Sequence, residues 1–281
     1  MRSMFFVTKR GFDLSGPGKN LRLGRIFQSD GNSLIVPIDH GMGDGPIRGI
    51  EKPEETLVKI ITGGADAVLT TFGIAAQFHH ILKGRVGVIL RLDSGETTSW
   101  KDPTTRKEWN RPYSVKDAMR MGADGVVVMG YVGAPSEGET LKNLAVTAGE
   151  CFEWGMPLLA EMLAFKNTTI SNPYEAEVIA TAARIGSEYG ADFIKTYYSG
   201  DSQSFRRVTE KCPVPVLVAG GEKMKTPGEV LRVTKGIMDG GGRGIAFGRN
   251  IWQHENPEAM VRALAKIIHE GSSAEEATRL L

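Results

Sequence analysis

Eight short apolar runs, separated by segments with helix signals, are the sequence feature that most restricts the fold of this chain. Each run is rich in Val, Ile or Leu and ends at or near Gly, Asp, Thr or Ser. Continuous apolar runs of this length are typical of parallel strands that are buried on both faces. The predicted strands are Leu34–Ile38, Ala67–Thr70, Val86–Leu90, Gly125–Met129, Leu158–Met162, Asp192–Lys195, Pro215–Ala219 and Gly244–Phe247.

Helical segments are predicted between these strands, and several begin with Pro in the first turn or follow Ser, Thr or Asn. The predicted helices are Pro53–Thr62, Ser114–Met121, Thr140–Trp154, Pro173–Tyr189, Phe205–Lys211 and Pro227–Met238. Repeated phrases such as Gly63-Gly64-Ala65-Asp66 and Gly122-Ala123-Asp124-Gly125 would end a helix and lead into the next strand. Strand–helix alternation repeated eight times predicts a (β/α)8 TIM barrel. A doubly wound open sheet is the alternative, but no second composition zone supports it.

The whole chain is expected to form one domain, residues 1–281, with a Gly-rich N-terminal extension over residues 1–33. Its 34 Lys and Arg residues nearly balance 33 Asp and Glu residues, which argues against nucleic acid as the main partner because such proteins usually carry a basic face. No apolar stretch reaches the length of a membrane span or a signal-peptide core, so we expect no membrane partner and a cytoplasmic protein. The polar stretch Glu96–Arg111 either folds over the site or serves a subunit contact.

Lys195 is the candidate nucleophile. The carboxyl ends of the strands build the active site in such a barrel, and Lys195 ends the sixth predicted strand directly after Phe193 and Ile194. Its amine is therefore expected in the barrel mouth, where partial desolvation favours the neutral form that attacks a carbonyl. The alternative is a lysine whose amine extends from the strand end into solvent.

Four further residues at strand ends are candidates for proton transfer. Asp39 and His40 follow the first strand, and either could move a proton; an aspartate that caps the loop is the alternative. Glu161 lies within the apolar fifth strand, where a buried carboxylate must pair with a cation such as Lys195 or point into the mouth. Tyr131 ends the fourth strand, with simple packing as the alternative.

The loops after the seventh and eighth strands predict an anion site. Gly220 and Gly221 follow the seventh strand, and Gly248 and Arg249 follow the eighth. Phosphate sites in barrels are often built from these two loops, where glycines admit backbone N–H groups to the anion and an arginine adds charge-assisted hydrogen bonds. Tight turns without a ligand are the alternative. The adjacent His79 and His80 make a poor metal pair on a helix, and no metal site is predicted.

These residues resemble the DhnA-type class I aldolases, a family that includes archaeal-type fructose-bisphosphate aldolases, aminodideoxyheptulosonate synthase and the autoinducer-2 phosphate thiolase. The resemblance implies a Schiff-base lysine at Lys195, a strand-1 aspartate at Asp39, no cofactor and no metal. It also implies phosphate binding by the two glycine loops and a homo-oligomer, a decamer of two stacked rings. The matching phrases are Pro37-Ile38-Asp39-His40-Gly41, Phe193-Ile194-Lys195-Thr196-Tyr197-Tyr198, Cys212-Pro213-Val214-Pro215, Ala219-Gly220-Gly221 and Gly248-Arg249-Asn250-Ile251.

One stretch departs from the family pattern. The fructose-bisphosphate aldolases of the family place a tyrosine acid near the end of strand 5, where this chain reads Ala160-Glu161-Met162-Leu163-Ala164. Another residue must therefore move the proton, and Glu161, His40 and Tyr131 are the candidates. We expect a carbon–carbon lyase or transferase that acts on a phosphorylated keto compound through an imine on Lys195. The alternatives are an acyl-transferring thiolase of the same family, an enolisation or epimerisation without a covalent step, and a non-catalytic phosphosugar-binding barrel.

Overall fold

A closed barrel of eight parallel strands forms the centre of the computed structural model, which describes residues 16–95 and 108–281. The first part of the predicted extension, residues 1–15, and most of the polar stretch, residues 96–107, lie outside these ranges. Around the barrel the strand order is β1-β10-β9-β8-β7-β6-β3-β2, and β4 and β5 form a separate antiparallel pair. The predicted (β/α)8 barrel is therefore confirmed. The strands are β1 (Ser33–Pro37), β2 (Ala67–Thr70), β3 (Gly87–Arg91), β4 (Ser94–Gly95), β5 (Trp109–Asn110), β6 (Gly125–Val132), β7 (Leu158–Ala164), β8 (Phe193–Thr196), β9 (Val216–Ala219) and β10 (Gly244–Ala246).

Helices connect the barrel strands and cover their outer faces. Most begin and end near the predicted positions, but α7 and α9 begin three residues early and α8 begins three residues late. Before α8, the side chain of Asn172 accepts a hydrogen bond from the backbone N–H of Tyr174, so this segment forms a turn and not the first helical turn. The helices are α1 (Gly16–Ile26), α2 (Gly41–Asp44), α3 (Pro53–Gly63), α4 (Phe72–Gln77), α5 (His79–Leu82), α6 (Val115–Met121), α7 (Glu137–Trp154), α8 (Ala176–Glu188), α9 (Ser202–Lys211), α10 (Pro227–Asp239), α11 (Arg249–Trp252), α12 (Pro257–Glu270) and α13 (Ala274–Thr278).

The apolar core has two main layers, because each barrel strand is buried on both faces. One set of strand residues, which includes Ile35, Leu159 and Phe193, fills the barrel interior, and a larger set packs against the helices. At the end where the strands begin, called here the barrel floor, Phe27 packs edge-on against Phe193 with ring centroids 5.2 Å apart. Helix α1 thus places the last part of the predicted extension beneath the barrel, and the opposite end remains open.

Three aspartates, each following a glycine that ends the preceding helical segment, anchor the strand starts at the barrel floor. Gly64 and Gly122 adopt positive φ angles of 97° and 78° directly after α3 and α6, as the repeated phrases predicted. The aspartate two residues after each glycine accepts a hydrogen bond from the backbone of the preceding barrel strand. The three bonds run from Leu34 N to Asp66 (2.6 Å), from Val88 N to Asp124 (3.0 Å) and from Leu158 N to Asp192 (2.8 Å).

Within residues 16–95 and 108–281, no helix combines the length and the apolar character that crossing a membrane requires.

Candidate active site

A cavity of about 590 Å³ opens at the carboxyl ends of the barrel strands, the place where barrels of this kind build their sites. Its wall contains every residue that the sequence singled out for catalysis or anion binding. The nine residues are Asp39, His40, Tyr131, Glu161, Lys195, Gly220, Gly221, Gly248 and Arg249. The fold therefore brings together side chains from six different barrel strands and the loops that follow them.

Lys195 lies at the bottom of this cavity as the third residue of β8. Its side chain is only 7% exposed, and its Nζ lies 2.6 Å from Oε1 of Glu161. The two residues are register partners on the neighbouring strands β7 and β8, so their side chains point to the same side of the sheet. The amine therefore faces the cavity, and it does not extend to solvent. The ion pair with Lys195 also explains how the apolar strand β7 tolerates the Glu161 carboxylate.

Arg91, the last residue of β3, is the main residue of the site that sequence reasoning missed. Its guanidinium donates to three carboxylates: Nε to Asp39 Oδ2 at 2.9 Å, Nη1 to Asp93 Oδ1 at 3.3 Å, and Nη2 to Glu161 Oε2. Burial alone would lower the pKa of Arg91, but the three carboxylates outweigh burial and raise this pKa well above its ordinary value. The sequence did contain a signal for Arg91, because it is a charged residue within the apolar run 86–92. Glu161 was recognised by the same kind of signal in the fifth predicted strand.

The three carboxylates around Arg91 differ in what else they bind. Asp93 is fully committed, because its Oδ2 accepts hydrogen bonds from Trp109 Nε1 and from the backbone N–H of Met129, each at 2.7 Å. Burial raises the pKa of Asp93, and Arg91 and these two donors offset part of the rise. The net shift of the Glu161 pKa is in the other direction. Burial raises this pKa as well, but Lys195 and Arg91 together lower it to about 2. Glu161 is therefore an anion near neutral pH.

His40 lies beside this charged cluster at the start of α2. Its Nδ1 is 3.5 Å from Asp39 Oδ1, too far for a hydrogen bond. Burial is the main cause that lowers the pKa of His40; Lys195 and Arg249 add to the decrease, and Asp39 opposes it. The imidazole is thus neutral near pH 7, so it can accept a proton.

The loops after β9 and β10 form one rim of the cavity, and Asn250 ties them together. Its Nδ2 donates to the carbonyls of Gly220 (3.0 Å) and Glu222 (3.1 Å), and its Oδ1 accepts from Met224 N. Gly221 has a φ of +61°. Within the described part of the chain, its backbone N–H donates to no protein group. The loop is held open by side-chain hydrogen bonds that leave this donor available.

Gly248 and Arg249 complete the rim. A Cβ on Gly248 would lie 2.9 Å from His40 Cε1 and 3.1 Å from the carbonyl oxygen of Pro37, so only glycine allows this close approach. The buried Nε of Arg249 has no hydrogen-bond partner among the residues of the two described ranges. An unpaired guanidinium nitrogen and a free backbone N–H on the wall of one cavity are suited to bind an anion.

Aromatic side chains line the opposite side of the cavity. Tyr131 on β6 is 2% exposed, and its ring packs edge-on against Trp109 and Phe165 with centroids 5.0 and 4.8 Å away. Tyr131 is also the register partner of Leu163 on β7. Leu163 lies in the stretch where the fructose-bisphosphate aldolases carry their tyrosine, so a tyrosine stands one strand away at the same level of the barrel.

Histidines outside the cavity contribute nothing to it. His79 and His80 begin the short helix α5 on the outer surface, and both are exposed. In the part of the chain that the structure describes, no group of His, Cys, Asp or Glu side chains is arranged to hold a metal ion. Cys151 and Cys212 are buried free thiols, and burial raises the pKa of each.

Comparison with known proteins gives a consistent picture. The model of a family described as DeoC/LacD family aldolase matches residues 33–254. The chain is 36% identical over 264 residues to the 2-amino-3,7-dideoxy-D-threo-hept-6-ulosonate synthase of Halobacterium salinarum, covering 94% of this chain and 96% of that relative. An uncharacterized aldolase of Saccharolobus solfataricus is 33% identical over 270 residues, with coverage of 94% and 99%. The structure of an archaeal fructose-1,6-bisphosphate aldolase, with its catalytic lysine covalently bound to the carbinolamine intermediate, superposes with a TM-score of 0.80 at 30% identity, over 91% of this chain and 99% of that one.

Proposed function

The chain belongs to the DeoC/LacD family of aldolases, and from this membership we propose that it makes or breaks a carbon–carbon bond in a phosphorylated keto compound through an imine on Lys195. The observation that carries this assignment is the position of Lys195 Nζ, buried at the bottom of an open cavity and 2.6 Å from Glu161. In the solved archaeal fructose-1,6-bisphosphate aldolase, a lysine is the residue that is covalently bound to the substrate intermediate.

The covalent step begins when the neutral amine of Lys195 adds to the keto carbon of the substrate. The carbonyl oxygen gains protons and leaves as water, so a positively charged iminium remains. In the cleavage direction, the bond between the α and β carbons breaks and its electron pair forms an enamine. The hydroxyl on the departing carbon loses its proton, and this fragment leaves as an aldehyde. Protonation of the enamine and hydrolysis of the resulting iminium release the ketone and restore Lys195.

Glu161 stabilises the iminium. A carboxylate whose pKa is about 2 is a weak proton acceptor near neutral pH, because an efficient catalytic base has a pKa close to the working pH. Its negative charge, however, lies 2.6 Å from the nitrogen that becomes positive. A fixed charge placed where charge develops needs no rearrangement during the reaction. Glu161 therefore acts through its charge.

His40 and Tyr131 are the proposed proton carriers. His40 has a lowered pKa and lines the cavity beside Asp39, so its neutral imidazole can accept the proton that the substrate hydroxyl loses. Tyr131 lines the other side, level with Leu163. This position supports Tyr131 as the substitute for the acid that β7 lacks.

The phosphate of the substrate is assigned to the rim formed by Gly220, Gly221, Gly248 and Arg249. The free N–H of Gly221 and the unpaired Nε of Arg249 support this assignment. Both lie on the wall of the cavity that also contains Lys195. A phosphate bound there would hold the keto group of the same molecule over the amine.

A homo-oligomer is part of the proposal. The resemblance implies a ring-shaped decamer, and Phe152 on α7 and Leu21 on α1 are 76% and 68% exposed, as apolar side chains at subunit contacts often are in an isolated subunit. Light scattering coupled to size exclusion should report a mass several times 30.5 kDa. A monomer at micromolar concentration would refute this part alone.

The imine is tested with dihydroxyacetone phosphate and sodium borohydride. Reduction should leave one irreversible adduct on the peptide that carries Lys195, and activity should fall in proportion to its formation. Lys195→Arg keeps the charge but forms no imine, so it should give no adduct. Turnover should fall by at least about 1000-fold, as when a covalent nucleophile is removed from other enzymes.

Lys19 offers the matched control, because it is also buried beside a carboxylate, with its Nζ 2.9 Å from Asp192 Oδ1. Lys19→Met should still form the adduct on Lys195. An adduct on a different lysine in the unaltered protein would overturn the assignment.

A further inference from the structure

Arg91 is a buried charged residue of the barrel mouth, the end where the strands finish, and the proposed chemistry does not use it directly. It lies at the end of β3 and is 6% exposed. One strand, β6, lies between β3 and β7, and one strand, β2, lies between β3 and β1. Inward-pointing side chains from alternate strands meet in one layer inside a barrel. Arg91 therefore spans the mouth and contacts carboxylates from both directions.

We propose that Arg91 is a positioning residue that holds the Glu161 carboxylate with one oxygen directed at Lys195. This inference rests on the proposed function, because it assigns Arg91 a role in forming the imine. Each of its three nitrogens binds one oxygen of one carboxylate: Nε binds Asp39, Nη1 binds Asp93 and Nη2 binds Glu161. The rigid, planar guanidinium sets the angles between these three contacts.

The second oxygen of each carboxylate, which Arg91 does not contact, has a different neighbour in each case. The second oxygen of Glu161 points to Lys195 Nζ at 2.6 Å, and that of Asp39 lies 3.5 Å from His40 Nδ1. The second oxygen of Asp93 is consumed by Trp109 and by the backbone of Met129. Arg91 therefore orients Glu161 toward the nucleophile and Asp39 toward the proton carrier, and it anchors itself on Asp93.

Charge gives Arg91 a second effect on Glu161. Lys195 is one of two cations that hold the pKa of Glu161 down against burial, and Arg91 is the other. When Lys195 loses its proton to attack the ketone, only Arg91 still holds Glu161 in the charged form. The carboxylate then remains ready for the iminium that follows, and it does not take up the proton itself.

Arg91→Lys and Arg91→Gln separate orientation from charge. A lysine keeps a positive charge but cannot hold three carboxylates in one plane. For Arg91→Lys, the rate of borohydride trapping with dihydroxyacetone phosphate should fall on the order of 100-fold, as expected when a reacting group is misplaced by about an ångström. Half-saturation by dihydroxyacetone phosphate should change little, because its phosphate binds at the other rim.

Arg91→Gln should in addition change the pH profile of trapping. In the unaltered protein Glu161 is charged throughout the working range, so its protonation gives no acid limb there. Without Arg91, only Lys195 opposes the effect of burial on the pKa of Glu161, so an acid limb that the unaltered protein lacks should appear above about pH 4. A role confined to folding would not produce this limb.

Arg111 is the matched control for a general effect of removing an arginine. It makes a two-point ion pair with Glu150, with contacts of 2.9 and 2.6 Å, and it does not line the cavity. Arg111→Lys should lower the thermal unfolding midpoint and leave the trapping rate and its pH profile unchanged.

Three results decide the question. Slower trapping in Arg91→Lys with a new acid limb in Arg91→Gln supports the proposal. Trapping that falls only as far as the folded fraction falls, with an unchanged pH profile, overturns it while the imine assignment stands. If the unaltered protein yields no adduct on Lys195, the proposed function fails, and the role of Arg91 fails with it.

Discussion

Buried and half-buried carboxylates lie at both ends of the barrel, but the two ends use them in different ways. At the floor, the carboxylates pair with three separate cations: Lys19 binds Asp192, Arg25 binds Asp124, and His269 lies between Asp66 and Asp30. At the mouth, Asp39, Asp93 and Glu161 share the single guanidinium of Arg91. The floor carboxylates also accept backbone N–H groups of the strands, so their hydrogen-bonding capacity is largely used by the fold.

This difference shows how the same residue types serve stability or chemistry. Asp192 and Lys195 lie at opposite ends of β8, three residues apart, and each belongs to a buried lysine–carboxylate pair. At the floor, Asp192 binds Lys19 and the start of β7, and burial raises the pKa of Asp192. At the mouth, Lys195 and a second cation, Arg91, together lower the pKa of Glu161 to about 2, and the pair faces an open cavity. Access to a ligand and a second cation on the carboxylate distinguish the reactive pair from the structural one.

Neutralising one carboxylate at each end should give the largest contrast. Glu161→Gln keeps the shape but removes the charge opposite the iminium, so turnover should fall by about 100- to 1000-fold, as when a preorganised charge-stabilising group is lost. Asp192→Asn should keep its turnover and lose about 1–3 kcal/mol of unfolding free energy, because Lys19 loses its charged partner.

Steady-state kinetics and urea unfolding of both variants provide the measurement. Full turnover by Glu161→Gln from pH 5 to 9 would remove the proposed charge role. A loss of turnover in folded Asp192→Asn equal to that in Glu161→Gln would show that the two ends are not functionally distinct.

Removing one arginine at each end should give a smaller contrast. Arg249→Ala should weaken binding of a phosphorylated substrate by about 10- to 100-fold, which corresponds to the loss of a charge-assisted hydrogen bond. Binding of the dephosphorylated analogue should change little. Arg25→Ala at the floor, where Arg25 pairs with Asp124, should affect neither ligand.

Isothermal titration with dihydroxyacetone phosphate and with dihydroxyacetone measures this difference. An equal loss for both ligands in Arg249→Ala would assign Arg249 a structural role, and the anion site would have to lie elsewhere.

The smallest expected effect is a pH dependence of the unfolding free energy that arises from a histidine at the barrel floor. The pKa of His269 rises from its ordinary 6.5 to about 9, because hydrogen bonds and charge attraction from Asp66 and Asp30 outweigh burial. A group whose pKa is higher in the folded than in the unfolded state contributes its full stabilisation at pH values below the unfolded-state pKa. This contribution is lost as the pH rises through about 9. The loss should be about 2 kcal/mol or less, since the group is partly exposed to solvent.

Urea unfolding at several values between pH 6 and pH 10 tests this prediction, with His269→Asn as the control that should flatten the decline. Turnover of His269→Asn near pH 7 should match that of the unaltered protein. A decline with pH that persists undiminished in His269→Asn would assign the effect to another group.

The amino-acid sequence by itself determined the strands, the main helices and most of the candidate site. Burial on both faces requires continuous apolar runs, so eight runs were visible as eight strands, and glycines at helix ends marked where the chain turns. Lys195, Glu161 and Arg249 could be selected because a charged residue within or shortly after an apolar strand stands out against its neighbours. The barrel rule for strand ends then placed them on one face.

Only the tertiary structure decided which of these residues meet. Asp39, Arg91 and Glu161 come from β1, β3 and β7 and are separated by 52 and 70 positions along the chain. Their convergence depends on barrel closure and on the register of each strand pair, which no local pattern encodes. The same applies to Tyr131 beside Leu163 and to α1 beneath the barrel. Hydrophobic periodicity reports whether a strand is buried, but the partners of a buried charge are chosen by strands that are distant in sequence, and these become neighbours only in the closed sheet.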